Sequence, residues 1–259
     1  MLLLSKEPSW FVCHQPKQRP KLRLFCFPYA GGGSTIYRYW HEELLPEIEL
    51  LAAQLPGREK RFRESPCRSI DELVAGLSRA INPYLNTPFA FFGHSMGALI
   101  AFELARELAK RYGTHPVHLF VSGKAAPQVE KNSPTIYNLP YQQFIQKLYD
   151  LNGTPKEVLE NRELMKLYEP ILRADFEVCD TYRFRPGSRL SCPITVFGGL
   201  RDEQIPMKDL EAWRELVTGP GIVRMYEGDH FFLHQKSKDM LRVIQDDLLT
   251  FIYRKGMTI

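Results

Sequence analysis

Short stretches in which nearly every residue is apolar alternate along the chain with longer ones whose apolar residues recur every three or four positions. The short stretches are 10–14, 22–27, 49–54, 89–92, 117–122, 194–197 and 222–226. Strands apolar at successive positions are covered on both faces, as in a mainly parallel sheet sandwiched by helices. The longer stretches predict helices. Over 70–84, Ile70, Leu73, Val74, Leu77 and Ile81 fall on one stripe. Ile100, Leu104 and Leu108 do the same over 98–112, as do Met240, Val243, Leu248 and Ile252 over 237–254. Strand and helix in alternation define a doubly wound α/β domain.

One region breaks the alternation. From about 126 to 191 the period is helical throughout, with segments at 140–151, 156–162 and 163–182. An insertion of that length between two strands reads as a helical lid on a single domain spanning 1–259. Its apolar residues (Ile136, Leu139, Phe144, Leu148, Leu151, Leu164, Leu167, Leu172 and Phe176) can wall an acyl channel or dock the lid on the core.

Composition narrows the class. With 259 residues and 44% hydrophobic content the chain can build a sizeable core. A net charge of +4 is too small to imply nucleic-acid binding unless concentrated on one face. Two basic clusters occur, Lys17, Arg19, Lys21 and Arg23, and Arg58, Lys60, Arg61 and Arg63; both read as solvated loop surface. The five cysteines (Cys13, Cys26, Cys67, Cys179, Cys192) are irregularly spaced and contain no Cys-x-x-Cys pair, which disfavours a metal site and suits a reducing cytosol. The first residues, MLLLSKEPSW, are too short an apolar run for a signal peptide. No stretch approaches the ~20 apolar residues of a membrane span. A cytoplasmic monomer without cofactor is expected.

The chemistry concentrates at Gly93-His94-Ser95-Met96-Gly97, which follows the 89–92 strand and leads directly into a helix. A bare Gly-x-Ser-x-Gly arises by chance in roughly one chain in ten of this length, so its context carries the weight. In a strand–turn–helix elbow the glycines give room for close approach, the serine Oγ projects over the sheet edge, and the helix presents the Met96 N–H to an oxyanion. The partners of such a serine follow in the order acid, then histidine. Asp202 leaves the strand ending in Phe197-Gly198-Gly199, and His230 lies in the loop after 222–226. His234 and Asp209 fall inside the following helices, Asp229 adjoins the base and points elsewhere, and His94 cannot easily turn back onto its neighbour; Ser95, Asp202 and His230 are the triad. For the second oxyanion donor, Phe25-Cys26-Phe27-Pro28-Tyr29-Ala30-Gly31-Gly32-Gly33-Ser34 places a glycine run after an early strand. A phosphate loop is disfavoured there because no Gly-Lys-Ser/Thr and no Gly-x-Gly-x-x-Gly is present. The Ala30 N–H is assigned to that role.

Read together, FPYAGGGS, LPGRE, PFAFFGHSMGALIAFELA, FGGLRDEQIP and GDHFF closely resemble the type II thioesterases, stand-alone α/β-hydrolases serving nonribosomal peptide, polyketide and fatty acid synthases. The resemblance runs from about Leu22 to the C-terminal helix. It implies Ser95, Asp202 and His230 as nucleophile, acid and base, a helical lid at about 126–191, and hydrolysis of acyl thioesters on the phosphopantetheine arm of a carrier protein. That reaction removes aberrant acyl groups in bacterial assembly lines and releases medium-chain fatty acids from fatty acid synthase. Because carrier proteins are usually acidic, Arg58 to Arg63 is a candidate docking surface. A general carboxylesterase and a catalytically dead binding protein remain open as alternatives.

Overall fold

The computed structural model describes residues 9–130 and 134–254; residues 131–133 of the expected lid, and 1–8 and 255–259 of the expected domain, lie outside them. Seven strands form one sheet: β1 (Phe11–Val12), β2 (Leu22–Phe27), β3 (Ile48–Ala53), β4 (Phe89–His94), β5 (Leu119–Ser122), β6 (Ile194–Gly199) and β7 (Gly221–Tyr226). Their order is β1-β3-β2-β4-β5-β6-β7, and every pair is parallel except β1 with β3. This is the mainly parallel α/β sheet the alternation implies. The 10–14 run shrinks to the two-residue β1 at the antiparallel edge.

Side chains leave alternate faces of each strand. From β2 and β4, Phe25, Phe27, Phe89 and Phe91 enter one core with α1 (Ile70–Ile81) and α2 (Met96–Tyr112). Leu24, Cys26, Ala90 and Phe92 enter the other, where Met240, Leu241, Ile244 and Leu248 of α7 (Leu233–Arg254) cover them. Helix α1 starts where Ser69 Oγ accepts the Glu72 N–H at 3.2 Å while Glu72 reaches back to the Arg68 N–H, a local cap. Helix α2 ends at Gly113, whose left-handed φ of 63° closes the last turn. Helix α7 begins four residues before the expected 237, where Leu233 and the preceding Phe232 pack into the core.

Between β5 and β6 lie α3 (Tyr141–Leu151), α4 (Lys156–Leu159) and α5 (Arg162–Thr181), and α6 (Met207–Glu211) follows β6. The inserted helices have their own apolar cluster of Phe144, Leu148, Leu159, Met165 and Leu172. Leu164 and Leu167, expected as channel or docking residues, instead face solvent, 36% and 49% exposed. Among the described residues no helix is long and apolar enough to cross a membrane.

The chain steps from β2 to β3 in one direction and from β4 onward in the other. The carboxyl ends of β2 and β4 therefore border the crevice where open α/β sheets bind ligands. The loops after both strands carry the residues of interest.

Candidate active site

Ser95 sits between β4 and α2 with φ 53° and ψ −113°, a conformation costing a non-glycine residue about 1–3 kcal/mol. Its surroundings hold it there. The Ser95 N–H donates to Ser122 O of the neighbouring strand at 2.8 Å. A Cβ on Gly93 would run into the Gly97 carbonyl, and one on Gly97 into the carbonyl oxygen of Phe27. Both glycines are thus demanded by close backbone contact, as the motif implies.

His230 Nε2 lies 3.0 Å from Ser95 Oγ, and its Nδ1 lies 2.6 Å from Asp202 Oδ2. With the Nδ1–H donated to the carboxylate, Nε2 is left to accept the serine proton. The Asp202 side chain is nearly buried and its other oxygen accepts the Gln204 N–H at 3.2 Å, so the carboxylate is held from both sides. The structure therefore brings together the three residues expected from their order in the chain.

The competing side chains have other partners. Asp229 accepts the Phe231 N–H at 2.9 Å and faces Asn152, away from the imidazole. Asp209 lies in α6. His234 Nε2 meets Tyr29 Oη at 3.0 Å. His94 is fully buried with Nδ1 at 2.9 Å from Ser122 Oγ, and its ring stands 5.2 Å from that of His230. Burial first, and then the charge of His230, hold its pKa well below the ordinary histidine value, so it forms a neutral wall behind the base.

After β2 the chain makes a tight turn over Tyr29-Ala30-Gly31-Gly32, closed by Gly32 N–H to Tyr29 O at 2.9 Å. Gly31 has φ 80°, the third-position conformation of a type II turn, which favours glycine. The Ala30 N–H has no acceptor among the described residues. The Met96 N–H, heading α2, is one of the helix donors without an intrahelical partner. Gly97, packed on Phe27 O and Pro28 O, brings this loop against the start of α2.

The basic cluster at 58–63 departs from expectation. Arg58 and Arg61 are only 6% and 5% exposed. Arg58 makes a two-pronged ion pair with Asp175 of α5, at 2.7 and 2.8 Å, and also donates to Gly32 O at 2.9 Å. Arg61 pairs with Glu64 and lies 3.9 Å over the Trp10 ring. Only Lys60 and Arg63 of the four are solvent-facing. Arg58 and Arg61 are internal scaffolding, because guanidinium groups satisfy carboxylate and carbonyl acceptors in buried positions where an ammonium cannot form a planar fork. In the first cluster Arg23 is likewise taken up, by Glu49 and the Tyr84 carbonyl.

Around the turn, the buried Arg58 is read from sequence as surface, and Glu59 and Asp175 are assigned no role. Glu59, with φ 51°, accepts from Ser34 Oγ at 2.6 Å and the Thr35 N–H at 3.0 Å. The charged pair at the end of the otherwise apolar LPGRE hinted at Arg58 and Glu59. Asp175 gave a weaker signal, an acid three residues after Leu172 on the buried side of its helix.

Sheet order, elbow and the acid and histidine at successive strand ends define the α/β-hydrolase class. The thioesterase domain pattern matches residues 22–248. The chain belongs to the thioesterase family. It is 46% identical to the gramicidin S biosynthesis protein GrsT of Aneurinibacillus migulanus, over 93% of this chain and 94% of that protein. It is 35% identical to the human medium-chain S-acyl fatty acid synthase thioesterase, over 92% of this chain and 90% of that one. Among solved structures, the type II thioesterase BorB from the borrelidin biosynthetic cluster superposes with a TM-score of 0.85 at 34% identity, covering 93% of this chain and 99% of BorB.

Proposed function

We propose that this chain is a type II thioesterase that hydrolyses acyl thioesters from the phosphopantetheine arm of acyl- or peptidyl-carrier proteins and so clears stalled acyl groups from a peptide or polyketide synthase. The observation that carries the reading is the hydrogen-bonded series Ser95–His230–Asp202 in a member of the thioesterase family. The likeness to GrsT and BorB supports the assembly-line setting over a general carboxylesterase.

Ser95 Oγ attacks the acyl carbon as His230 Nε2 takes its proton, and Asp202 stabilises the imidazolium. The N–H groups of Met96 and Ala30 receive the oxyanion. The thiol, with a free pKa of ~8.5, leaves readily as thiolate, so collapse of the intermediate asks little of the acid. The imidazolium proton passes to the departing thiolate, and the neutral His230 then activates the water that releases the acid from Ser95. The α3–α5 insertion is the lid of the single domain, covering the acyl chain. The reaction belongs in the cytoplasm with the synthase, a setting in which Cys13, Cys26, Cys67 and Cys192 remain thiols.

The deciding experiment compares kcat/KM for matched oxygen esters and for acetyl, medium-chain and aminoacyl thioesters on one carrier protein. Preference for the thioesters, with short or aminoacyl groups turned over well, supports editing. A strong optimum at medium-chain acyl groups would move the chain to fatty-acid release, the activity named for the human relative. Faster oxygen-ester hydrolysis would make it a carboxylesterase.

A further inference from the structure

Asp175 and Arg58 take no part in the proposed chemistry, yet they grip the loop on which it depends. The Gly31 N–H donates to Asp175 Oδ2 at 2.7 Å, and the same oxygen receives Arg58 Nη1 at 2.7 Å. Arg58 Nη1 also donates to Gly32 O. One ion pair thus holds a donor and an acceptor of successive residues in the 29–32 turn. Leu172, three residues before Asp175 and so on the same helix face, lies where a Cβ on Gly31 would come within 2.5 Å of its Cδ2.

The turn needs such a grip. Its closing bond, Gly32 N–H to Tyr29 O, is common to type I and type II turns, which differ by a flip of the central peptide. A carboxylate beside that peptide attracts the Gly31 N–H and repels the Ala30 carbonyl, so it selects the type II form. The pair is almost wholly buried, with side chains 7% and 2% exposed. Burial by itself lowers the Arg58 pKa, but the charge and hydrogen bonds of Asp175 outweigh it and raise the value, so the guanidinium stays charged. A buried ion pair is poor value as a source of stability alone, since apolar replacements of similar volume often do as well.

We infer that Asp175, held by Arg58, is a positioning residue of the oxyanion turn: it fixes the Ala30–Gly31 peptide and steadies the adjoining Ala30 N–H while α5 is seated. This rests on the proposed mechanism, in which that N–H receives the oxyanion.

The test is the double variant Arg58→Met/Asp175→Leu, which removes both charges and leaves neither buried alone. Active sites are counted by fluorophosphonate titration, and turnover is measured on a carrier-free acyl thioester. Affinity for an alkyl boronic acid, which forms a tetrahedral adduct on Ser95, is measured alongside. The expected result is a kcat per titrated site at least about tenfold lower, bounded by the ~10²–10³ of losing an oxyanion donor outright, with KM within about threefold. Boronate affinity falls with kcat/KM, and Tm holds. A purely structural pair would lower Tm or the count of active sites and leave kcat per site unchanged, which overturns the inference. Should the double variant not fold, Asp175→Asn serves with the Gly31 amide proton followed by NMR. Loss of the charged acceptor moves that resonance upfield as kcat falls, and an unmoved amide with unchanged kcat overturns the inference. A wild-type chain that neither cleaves thioesters nor binds the boronate would overturn the mechanism beneath it, whereas an active wild type with an unimpaired variant overturns this inference alone.

Discussion

His230 Nδ1 lies 2.6 Å from Asp202 Oδ2 although the two residues leave different strands. Register makes the contact: Gly199 of β6 pairs with Tyr226 of β7, and the Arg201 N–H donates to Gly228 O at 2.9 Å, so the two loops leave the sheet side by side. Because backbone bonds hold this geometry, it survives loss of the carboxylate charge. Asp202→Asn is predicted to fold normally and to lose about 10⁴-fold in kcat, the scale at which a neutralised triad acid permits the wrong imidazole tautomer. Steady-state kinetics beside a thermal melt checks this, and a variant within tenfold of wild type would remove Asp202 from the mechanism.

Ser95 pays for its place in backbone strain, with φ 53° and ψ −113°. Glycine adopts such values without a Cβ clash, at the cost of about 0.5–1 kcal/mol of extra chain entropy. Against strain of about 1–3 kcal/mol, Ser95→Gly is predicted to be inactive yet about 1 kcal/mol more stable than Ser95→Ala. Urea unfolding of the two variants measures the difference; equal midpoints would mean the elbow is unstrained.

Gly97 touches the carbonyls of Phe27, at the end of β2, and Pro28, in the loop that follows, at the point where α2 begins. Gly97→Ala must push the loop after β2 away from Ser95. The expected cost is about 1–3 kcal/mol, the usual range for overpacking, together with a fall in kcat larger than that in thermal stability. Wild-type turnover in a folded Gly97→Ala protein would show that the loop position is not critical.

His118 stacks on Phe120 with ring centroids 4.2 Å apart, and its Nε2 lies 2.9 Å from Thr195 Oγ1, whose hydroxyl donates to Asp247. Burial lowers its pKa from 6.5 to about 4. The unfolded chain therefore binds the extra proton first, between those two values, and stability is lost as pH falls through that window. A displacement of this size is worth up to about 3 kcal/mol. His118→Gln keeps a donor for Thr195 but does not titrate, so its stability should fall less than wild type between about pH 7 and about pH 4. Parallel pH–stability curves would contradict the assignment.

Within 58–63 the arginines divide by burial. Arg58→Ala leaves Asp175 buried without its partner and is predicted to cost about 3–5 kcal/mol. Lys60→Glu with Arg63→Glu should leave stability within about 0.5 kcal/mol, as exposed substitutions usually do. The exposed pair alone can therefore test this segment for carrier-protein docking; unchanged kcat/KM on an acyl-carrier substrate in that variant would exclude it.

Much of this protein was legible along the chain. The stretches 89–92 and 98–112 announced strand and helix by their apolar spacing, and Gly93 and Gly97 marked the elbow by the absence of side chains. The order of Ser95, Asp202 and His230 was enough to single them out because strand ends in a parallel sheet converge. These are local properties: period, turn chemistry and position relative to a strand's end are written within a few residues of each other. Burial of Arg58 and Arg61 was not of this kind. Whether a guanidinium meets water or a carboxylate depends on what folding brings beside it, and Arg58 meets Asp175 from 117 positions away. The sequence by itself determined the sheet, the elbow and the three side chains that the fold brings within hydrogen-bond reach of one another. Only the tertiary structure decided that a helix from the insertion grips the Ala30–Gly31 turn, because that grip is made through space between segments with no local signal for each other.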